Sequence, residues 1–461
     1  MKKYDVAVIG GGASGLTVAY TAVGFKKSVV LIDKHKPGGD CTWYGCVPSK
    51  ALIHEANQIF NAKKYADFEV DTEAVMSKVR ETREKVYTHE SIEVLEKDGI
   101  DFLGGVASFK SEYVLQIGDE LVKAKHIFIC TGSQPIIPNI QGIKDVDYLT
   151  NESFFELTKL PESVIVLGGG AIGVELSQAM NRLGVKVSLV EKSDVILPKE
   201  EKELAQLLQA RLIEEGINIY TSFEAVSMTQ DEYGVKMKLK NNSHEISVTG
   251  QRVLLALGRK ASIKSLNLEA VGIELDNQTV KVNEFLQTSL AHVYAVGDVS
   301  GGFMFSHMAN VEGILATQNS IFPIKRKINY KDVSWCTFTT PELALAGLTE
   351  QQARDQFGNK IRVYRQSYEN LDRAMTDEAT LGVVKVILDQ RGFVLGASVL
   401  GERAGELISQ IQIIKTTKLN FAKLATVIHP YPTYAEVLVK IGKRVAVDNL
   451  LQKPILKHFK K

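Results

Sequence analysis

The sequence is poor in the features that mark secreted, membrane-spanning and nucleic-acid-binding proteins. Its 461 residues include only four cysteines, too few for a secreted protein that disulfide bonds stabilise. No apolar run approaches the roughly 18 residues of a membrane span, and the stretch Val6–Ile9 stops at three glycines, unlike a signal peptide. Lys and Arg number 55 against 54 Asp and Glu, a formal net charge of +1, which argues against nucleic acid or an anionic membrane as a partner. We therefore predict a cytoplasmic globular protein.

What the chain does contain is an internal repeat. Two segments each combine a β-type apolar run, a glycine-rich turn, a helical stretch and a second apolar run, which ends at an acidic residue 18 positions after the last glycine. Glycines in such a turn let the backbone approach a pyrophosphate, the helix N-terminus attracts its charge, and the carboxylate accepts hydrogen bonds from ribose hydroxyls. The matching residues are Gly10, Gly12, Gly15 and Asp33 in the first segment, and Gly168, Gly170, Gly173 and Glu191 in the second. Two complete units predict two dinucleotides in one chain, most simply a flavin and a nicotinamide.

The repeat also predicts how the chain is organised, and its length alone suggests about three domains. Residues 1–145 are expected to form the first dinucleotide-binding domain and residues 146–270 the second, with a return to the first over residues 271–330. Residues 331–461 alternate strand-like runs with amphipathic helices. The predicted fold class is therefore α/β, with two Rossmann-like domains followed by a C-terminal α+β domain.

A second group of reactive residues lies in the turn that contains Cys41 and Cys46. Two cysteines at this spacing in a glycine-flanked turn can close a small, strained and reducible disulfide. Pro48 suits the first turn of a helix, which would place Cys46 just before the helix N-terminus. There the helix dipole and the nearby Lys50 favour a thiolate. We predict that the pair does redox chemistry rather than bracing the fold.

The alternative interpretation of this pair is one half of a zinc site, which would need a second pair of ligands. The other two cysteines, Cys130 and Cys336, are isolated and lack the required spacing. We predict that both are ordinary buried strand cysteines and that the chain has no metal site.

The segment Gly38–Lys50 resembles the redox-active disulfide motif of the flavoprotein disulfide reductases, which include glutathione reductase, dihydrolipoamide dehydrogenase and mercuric reductase. Essentially the whole chain matches this family in the right order. The resemblance implies that FAD binds at the first glycine turn and that NAD(P)H binds at the second. It also implies a C-terminal dimerisation domain and a homodimer. Residues that match the family's shorter flavin motifs are Thr131, Gly132, Gly297 and Asp298.

The resemblance further implies a mechanism. A reduced nicotinamide gives a hydride to the flavin, the flavin reduces the disulfide, and the dithiol reduces an external acceptor. By position in the motif, Cys46 would be the thiol beside the flavin and Cys41 the thiol that meets the acceptor. Lys50 and Glu175 match residues that form an ion pair near the flavin, although Glu175 also suits an ordinary helix position.

The choice of nicotinamide depends on the acidic residue of the second repeat. Glu191 would repel a 2′-phosphate and bind a free 2′-hydroxyl, which favours NADH. Lys192 follows immediately and could soften that rejection, so NADPH remains an alternative.

The sequence departs from the disulfide-reducing members near its C-terminus. Those members have a His-Pro-Thr-x-x-Glu motif, in which the glutamate orients an acid–base histidine that reaches the site of the partner subunit. Here Tyr431 takes the histidine position, Glu436 matches the glutamate, and His429 falls two residues earlier, as a retained helper or an ordinary turn residue. Moving a proton costs roughly 5 kcal/mol more at tyrosine than at histidine. Tyrosine in this position resembles the mercuric reductases, although their C-terminal cysteine pair is absent.

These observations predict an FAD- and nicotinamide-dependent oxidoreductase with a redox-active dithiol. It would act as a homodimer in which Tyr431 and Glu436 complete the site of the partner subunit. The preferred acceptor is a metal ion or another oxidant, as in mercuric-reductase-like proteins, with no nucleic acid or membrane involved. A dihydrolipoamide dehydrogenase or another small-disulfide reductase is the first alternative. The second is a redox-sensing flavoprotein that turns over slowly and signals to a partner.

Overall fold

The first nucleotide-binding unit is built around a largely parallel sheet in the computed structural model, which describes residues 1–451. Its elements are β1 (Lys2–Ile9), α1 (Ala13–Gly24), β2 (Val29–Asp33), α2 (Gly39–Trp43), α3 (Cys46–Ala62), α4 (Thr72–Tyr87), α5 (Ile92–Lys97), β3 (Ile100–Gly104), β4 (Ala107–Ser111), β5 (Val114–Ile117) and β6 (Glu120–Ile129). Strands β3, β2, β1 and β6 run parallel in that order, and the β4–β5 hairpin adds antiparallel to β6. Val6–Ile9 is buried throughout, as expected for a strand covered on both faces.

The second unit repeats this plan. Its elements are β7 (Ser133–Pro135), β8 (Tyr148–Leu149), α6 (Asn151–Phe154), β9 (Ser163–Leu167), α7 (Ala171–Arg182), β10 (Lys186–Val190), α8 (Lys202–Glu214), β11 (Asn218–Tyr220), β12 (Glu224–Asp231), β13 (Gly234–Lys240), β14 (Glu245–Gly250), β15 (Arg252–Leu255) and β16 (Arg259–Ala261). Strands β11, β10, β9, β15 and β8 form a parallel sheet in that order, and β12–β14 form a separate antiparallel sheet. Because β16 pairs antiparallel with β7, the outgoing and returning connections between the two units lie side by side.

The chain then returns to the first unit and continues into a C-terminal domain. The returning elements are β17 (Leu275–Asp276), β18 (Thr279–Val280), β19 (Val293–Ala295) and α9 (Ser306–Ile321), and β19 pairs parallel with β6. The C-terminal elements are β20 (Ser334–Thr337), β21 (Glu342–Gly347), α10 (Glu350–Phe357), β22 (Ile361–Ser367), α11 (Asp372–Thr376), β23 (Val383–Asp389), β24 (Val394–Gly401), α12 (Ala404–Thr416) and α13 (Glu436–Leu451). Their strands form an antiparallel sheet in the order β20, β21, β24, β23, β22.

A buried lysine connects the second unit to the C-terminal domain. Lys385 on β23 is 5% exposed, and its ammonium lies 3.3 Å from Glu201, 2.9 Å from Glu203 and 3.0 Å from Glu350. A buried charge is tolerated when it is paired in this way.

The predicted α/β fold class is confirmed. No helix within residues 1–451 is long and apolar enough to cross a membrane.

Candidate functional site

The two glycine turns have almost the same geometry, because each brings a helix against the strand before it. Gly10 and Gly168, the first glycine of each turn, have φ values of +107° and +114°, which favour glycine. A Cβ on Gly15 would lie 1.8 Å from the oxygen of Gly10, and a Cβ on Gly173 would lie 1.9 Å from the oxygen of Gly168. The last glycine of each turn therefore has no room for any other residue.

The acidic residue of each repeat holds its turn in place. Asp33 Oδ2 accepts a hydrogen bond from the Gly11 amide at 2.5 Å, and Glu191 Oε2 accepts one from the Gly169 amide at 2.7 Å. A carboxylate has about four lone-pair sites, so each can still accept a hydrogen bond from a ribose hydroxyl. The middle glycine leaves space in each turn, since a Cβ on Gly170 would meet no atom within 4 Å and one on Gly12 would meet only the Gly39 Cα, at 3.6 Å.

Both turns and the cysteine pair open on the same cavity, with a volume of about 2530 Å³. The predicted site residues that line it are Gly10, Gly12, Asp33, Cys41, Cys46, Lys50, Thr131, Gly132, Gly168, Gly170, Glu175, Glu191 and Asp298. Gly15, Gly173 and Gly297 are buried behind its wall. Gly297, at a φ of +78°, donates its amide to Glu312 Oε2 at 2.7 Å. A cavity that contains two dinucleotide turns and a thiol pair can support electron transfer between them.

The two thiols of the cavity are electrostatically unequal. A hydrogen bond from Cys41, followed by the positive charge of Lys50, lowers the pKa of Cys46 to about 6 against the opposing effect of burial. The pKa of Cys41 is raised by its hydrogen bond to Cys46 and by burial. Ser306 Oγ lies 3.7 Å from Cys46 Sγ and also favours the Cys46 thiolate. Because Cys46 is the first residue of α3, the helix dipole acts in the same direction.

An ion pair lies next to these thiols. Lys50 Nζ is 2.8 Å from Glu175 Oε2, and the Glu175 side chain is only 6% exposed. The other carboxylate oxygen accepts a hydrogen bond from the Phe338 amide at 2.8 Å, and Lys50 Nζ lies 4.6 Å from the centre of the Phe338 ring. Glu175 is therefore tied to α3 and to the start of the C-terminal domain, and its contacts are not those of an ordinary helix residue.

The residues of the shorter motifs fit a flavin nucleotide. Thr131 Oγ1 is buried and has no hydrogen-bond partner among residues 1–451, although Thr131 lines the cavity. Asp298 Oδ2 accepts a hydrogen bond from Ser133 Oγ at 2.5 Å, and burial raises the pKa of this carboxyl. An unpaired hydroxyl and a half-buried carboxyl, both beside a glycine turn, are suited to bind the polar chain of such a ligand.

The C-terminal residues predicted for the site do not line the cavity of their own chain. They are Tyr431, Glu436 and His429. Tyr431 is 70% exposed and donates its hydroxyl to Asp372 Oδ2 at 2.6 Å, which raises the pKa of the phenol. Glu436 pairs with Lys440 at 3.4 Å and makes no hydrogen bond to Tyr431. His429 is half-buried, with Nδ1 3.1 Å from the oxygen of Val427. The contact that orients Tyr431 is therefore Asp372 and not Glu436, and nothing in the sequence around Asp372 signals it.

The prediction that the remaining two cysteines are buried strand residues is correct only in part for each of them. Cys130 is 3% exposed and follows β6 directly. Cys336 lies in β20 but is only half-buried, because this strand borders the cavity. Burial raises the pKa of both thiols. Within residues 1–451, no group of three or more His, Cys, Asp and Glu side chains is arranged to hold a metal ion.

Comparison with known proteins agrees with this geometry. The family model described as pyridine nucleotide-disulphide oxidoreductase matches residues 4–313, and its dimerisation domain matches residues 333–441. The chain belongs to this family. The predicted flavoprotein oxidoreductase, dependent on FAD and a pyridine nucleotide, is thereby confirmed.

The relatives in this family include proteins with different acceptors. Mercuric reductase from Bacillus cereus is 32% identical over 445 residues, which cover 94% of this chain and 70% of that protein. Dihydrolipoyl dehydrogenase from Bacillus subtilis (strain 168) is 32% identical over 446 residues, 94% of this chain and 96% of that protein. Among solved structures, the Cu(II) complex of the HOCl-induced flavoprotein disulfide reductase RclA from Escherichia coli has a TM-score of 0.88 at 27% identity, covering 96% of this chain and all of that chain. The acceptor therefore does not follow from overall similarity.

Proposed function

We propose that this protein uses NADH to reduce the Cys41–Cys46 pair through FAD, and that the pair passes two electrons to a metal ion. The main support is that both thiols share a cavity with the two nucleotide turns. When bound, FAD supplies the transfer of electrons from the nicotinamide to the disulfide. Gly10, Gly12 and Asp33 would hold its nucleotide end, with Thr131 and Asp298 further along.

The chain's own residues control the thiol chemistry. Cys46 holds the thiolate because its neighbours Cys41, Lys50 and Ser306 favour the charged form, and Cys41 keeps its proton. Oxidation of the pair forms the S–S bond between the Cys46 thiolate and Cys41, breaks the Cys41 S–H bond, releases its proton to solvent and passes two electrons to the metal ion. The Lys50–Glu175 pair keeps a positive charge near Cys46 while Glu175 fixes its position.

NADH is supported by the surroundings of Glu191. Its carboxylate lines the cavity, where a 2′-phosphate would be repelled. Lys192, which could have offset that charge, pairs instead with Glu224 at 3.0 Å, and both side chains are exposed. Lys192 therefore does not offset the negative charge that Glu191 presents to the cavity.

A homodimer is supported by an exposed loop in the segment that matches the dimerisation domain. In this loop Val427 is 47% exposed, Ile428 98% and Tyr431 70%. Apolar and aromatic side chains on such a projecting loop are typical of a surface that a partner covers. In the dimer, Tyr431 would complete the acceptor side of the partner's cavity.

A metal ion is supported as the acceptor by the chemistry of Tyr431. A phenol bound to the Asp372 carboxylate is a poor proton donor to a departing thiolate, but its oxygen and the carboxylate are suitable ligands for a cation. One of the relatives is also named for mercuric ion, and one of the similar solved structures is a Cu(II) complex. A small disulfide is the second candidate, favoured by the equally similar dihydrolipoyl dehydrogenase.

The test is steady-state NADH oxidation by the FAD-loaded protein with mercuric ion, cupric ion, lipoamide-type disulfides, glutathione disulfide and quinones. We expect efficient turnover with a metal ion and its loss in Cys41→Ser. Efficient turnover with a lipoamide-type disulfide and none with metal ions would replace the first candidate with the second. Metal turnover that survives Cys41→Ser would exclude the thiol route.

A further inference from the structure

Arg259 joins three segments of the chain around the redox-active turn. It is the first residue of β16, along which the chain returns from the second nucleotide unit. Its guanidinium lies 3.0 Å from Asp40 Oδ1 and donates hydrogen bonds to Ser133 Oγ at 2.7 Å and to Asn151 Oδ1 at 3.2 Å. The Arg259 side chain is 12% exposed and that of Asp40 38%, so the arginine end of the pair is the part that is shielded from water and salt. The planar guanidinium has five donors, which lets one residue bridge all three segments.

One set of these contacts holds the turn that contains the cysteines. Asp40, which precedes Cys41, also accepts a hydrogen bond from Asn151 Nδ2 at 3.1 Å. The same Asn151 nitrogen donates to the backbone oxygen of Tyr44 at 3.1 Å, between the two cysteines. A side chain and a carbonyl of the turn are thus both fixed through Asn151, to which Arg259 is bonded.

The other set of contacts leads to a flavin motif. The Arg259 guanidinium donates a hydrogen bond to the backbone oxygen of Ser133 at 3.0 Å, and Ser133 Oγ donates one to Asp298 Oδ2 at 2.5 Å. Ser133 and the charge of Arg259 both oppose the effect of burial, which raises the pKa of the Asp298 carboxyl. They therefore help to keep Asp298 ionised and able to accept a hydrogen bond.

We propose that Arg259 is a positioning residue that couples the flavin-side carboxylate of Asp298 to the geometry of the Cys41–Cys46 turn. The inference rests on the proposed function in that these two cysteines are taken as the redox pair. Without Arg259, Asp40 and Ser133 would lose their shared partner. The turn would hold the two thiols together less firmly, and Asp298 would bind the flavin less well.

The test compares wild type, Arg259→Gln, Asp40→Asn and the double variant as FAD-loaded proteins, with Arg252→Gln as the matched control. Arg252 lies on the preceding strand, β15, and pairs with the exposed Asp147 at 2.9 Å. Two quantities are measured. The first is the temperature at which the flavin is released, followed by its fluorescence. The second is the fraction of Cys41–Cys46 disulfide in dithiothreitol buffers, determined by alkylation and mass spectrometry.

We expect Arg259→Gln to lower the flavin-release temperature and to weaken disulfide closure by about tenfold, as for loss of a partly buried ion pair. Asp40→Asn should weaken closure but keep the flavin, and should add little in the Arg259→Gln background, because coupled residues are not additive. Arg252→Gln should match wild type.

Wild-type values for both quantities in Arg259→Gln, or additive effects in the double variant, would overturn the inference. If Arg259→Gln does not fold, Arg259→Lys decides, since lysine keeps the charge and loses the planar fork. Intermediate values there support the coupling, and wild-type values exclude it. Absence of any Cys41–Cys46 disulfide in the wild type would instead contradict the proposed function.

Discussion

The unequal acidity of the two thiols can be tested by removing one of them. In Cys41→Ala, the hydrogen bond that contributes most to the low pKa of Cys46 is lost. A hydrogen bond to a charged group contributes about 1.5–3 kcal/mol, and one pKa unit corresponds to about 1.4 kcal/mol. The variant should therefore raise the pKa of Cys46 from about 6 to about 7–8. It should stay below the ordinary value because Lys50 and Ser306 remain.

The measurement is the rate of iodoacetamide alkylation at Cys46 as a function of pH, with the modified residue located by mass spectrometry. Cys41→Ser is the matched control, because its hydroxyl can still donate a hydrogen bond, and its midpoint should stay close to 6. Equal midpoints near 6 in the two variants would refute the reasoning. They would show that the helix N-terminus and Lys50 are sufficient to hold the thiolate.

Three further predictions concern the nucleotide turns and the acceptor side. Glu191→Ala should reduce the preference for NADH over NADPH by about tenfold in steady-state kinetics, and Lys192→Ala should leave this preference unchanged. An unchanged preference in Glu191→Ala would mean that other residues discriminate between the two nucleotides. Tyr431→His should increase the reduction of small disulfides by supplying a base near neutral pH, whereas no gain would mean that the pocket limits that reaction. Gly15→Ala should destabilise the protein by about 3 kcal/mol or more in thermal unfolding and release the flavin, whereas Gly24→Ala, at a site where a Cβ meets no atom within 4 Å, should change stability by less than about 1 kcal/mol. A stable, flavin-loaded Gly15→Ala protein would contradict the packing argument.

The parts of the fold and site that depend on local pattern could be predicted from the sequence. The repeated glycine turns were predictable because a strand, a tight turn and a helix require particular residues at fixed spacing. The helix after the cysteine turn was predictable because Pro48 suits the first turn of a helix. The prediction put Cys46 just before this helix, and the structure makes it the first helical residue. Both inferences use residues that are close together in the chain.

The parts that depend on long-range contacts could not be predicted. Tyr431 and Asp372 are separated by 59 positions, and Ser133 and Arg259 by 126, with no local motif that marks either pair. The exposure of Cys336 was missed for a related reason. A strand pattern indicates which residues are apolar, but not which end of the strand borders a cavity formed by other parts of the chain.

The contacts of the last glycines in the two turns have a consequence for cofactor loading. Because Gly15 and Gly173 let the helix backbone pack directly against the turn, contacts within the chain itself determine the shape of each nucleotide-binding turn. The entropy of ordering the loop has then been spent during folding rather than on association. Reconstitution of the flavin-stripped apoprotein should accordingly behave as docking onto a preorganised surface, with little of the heat-capacity change that accompanies coupled folding.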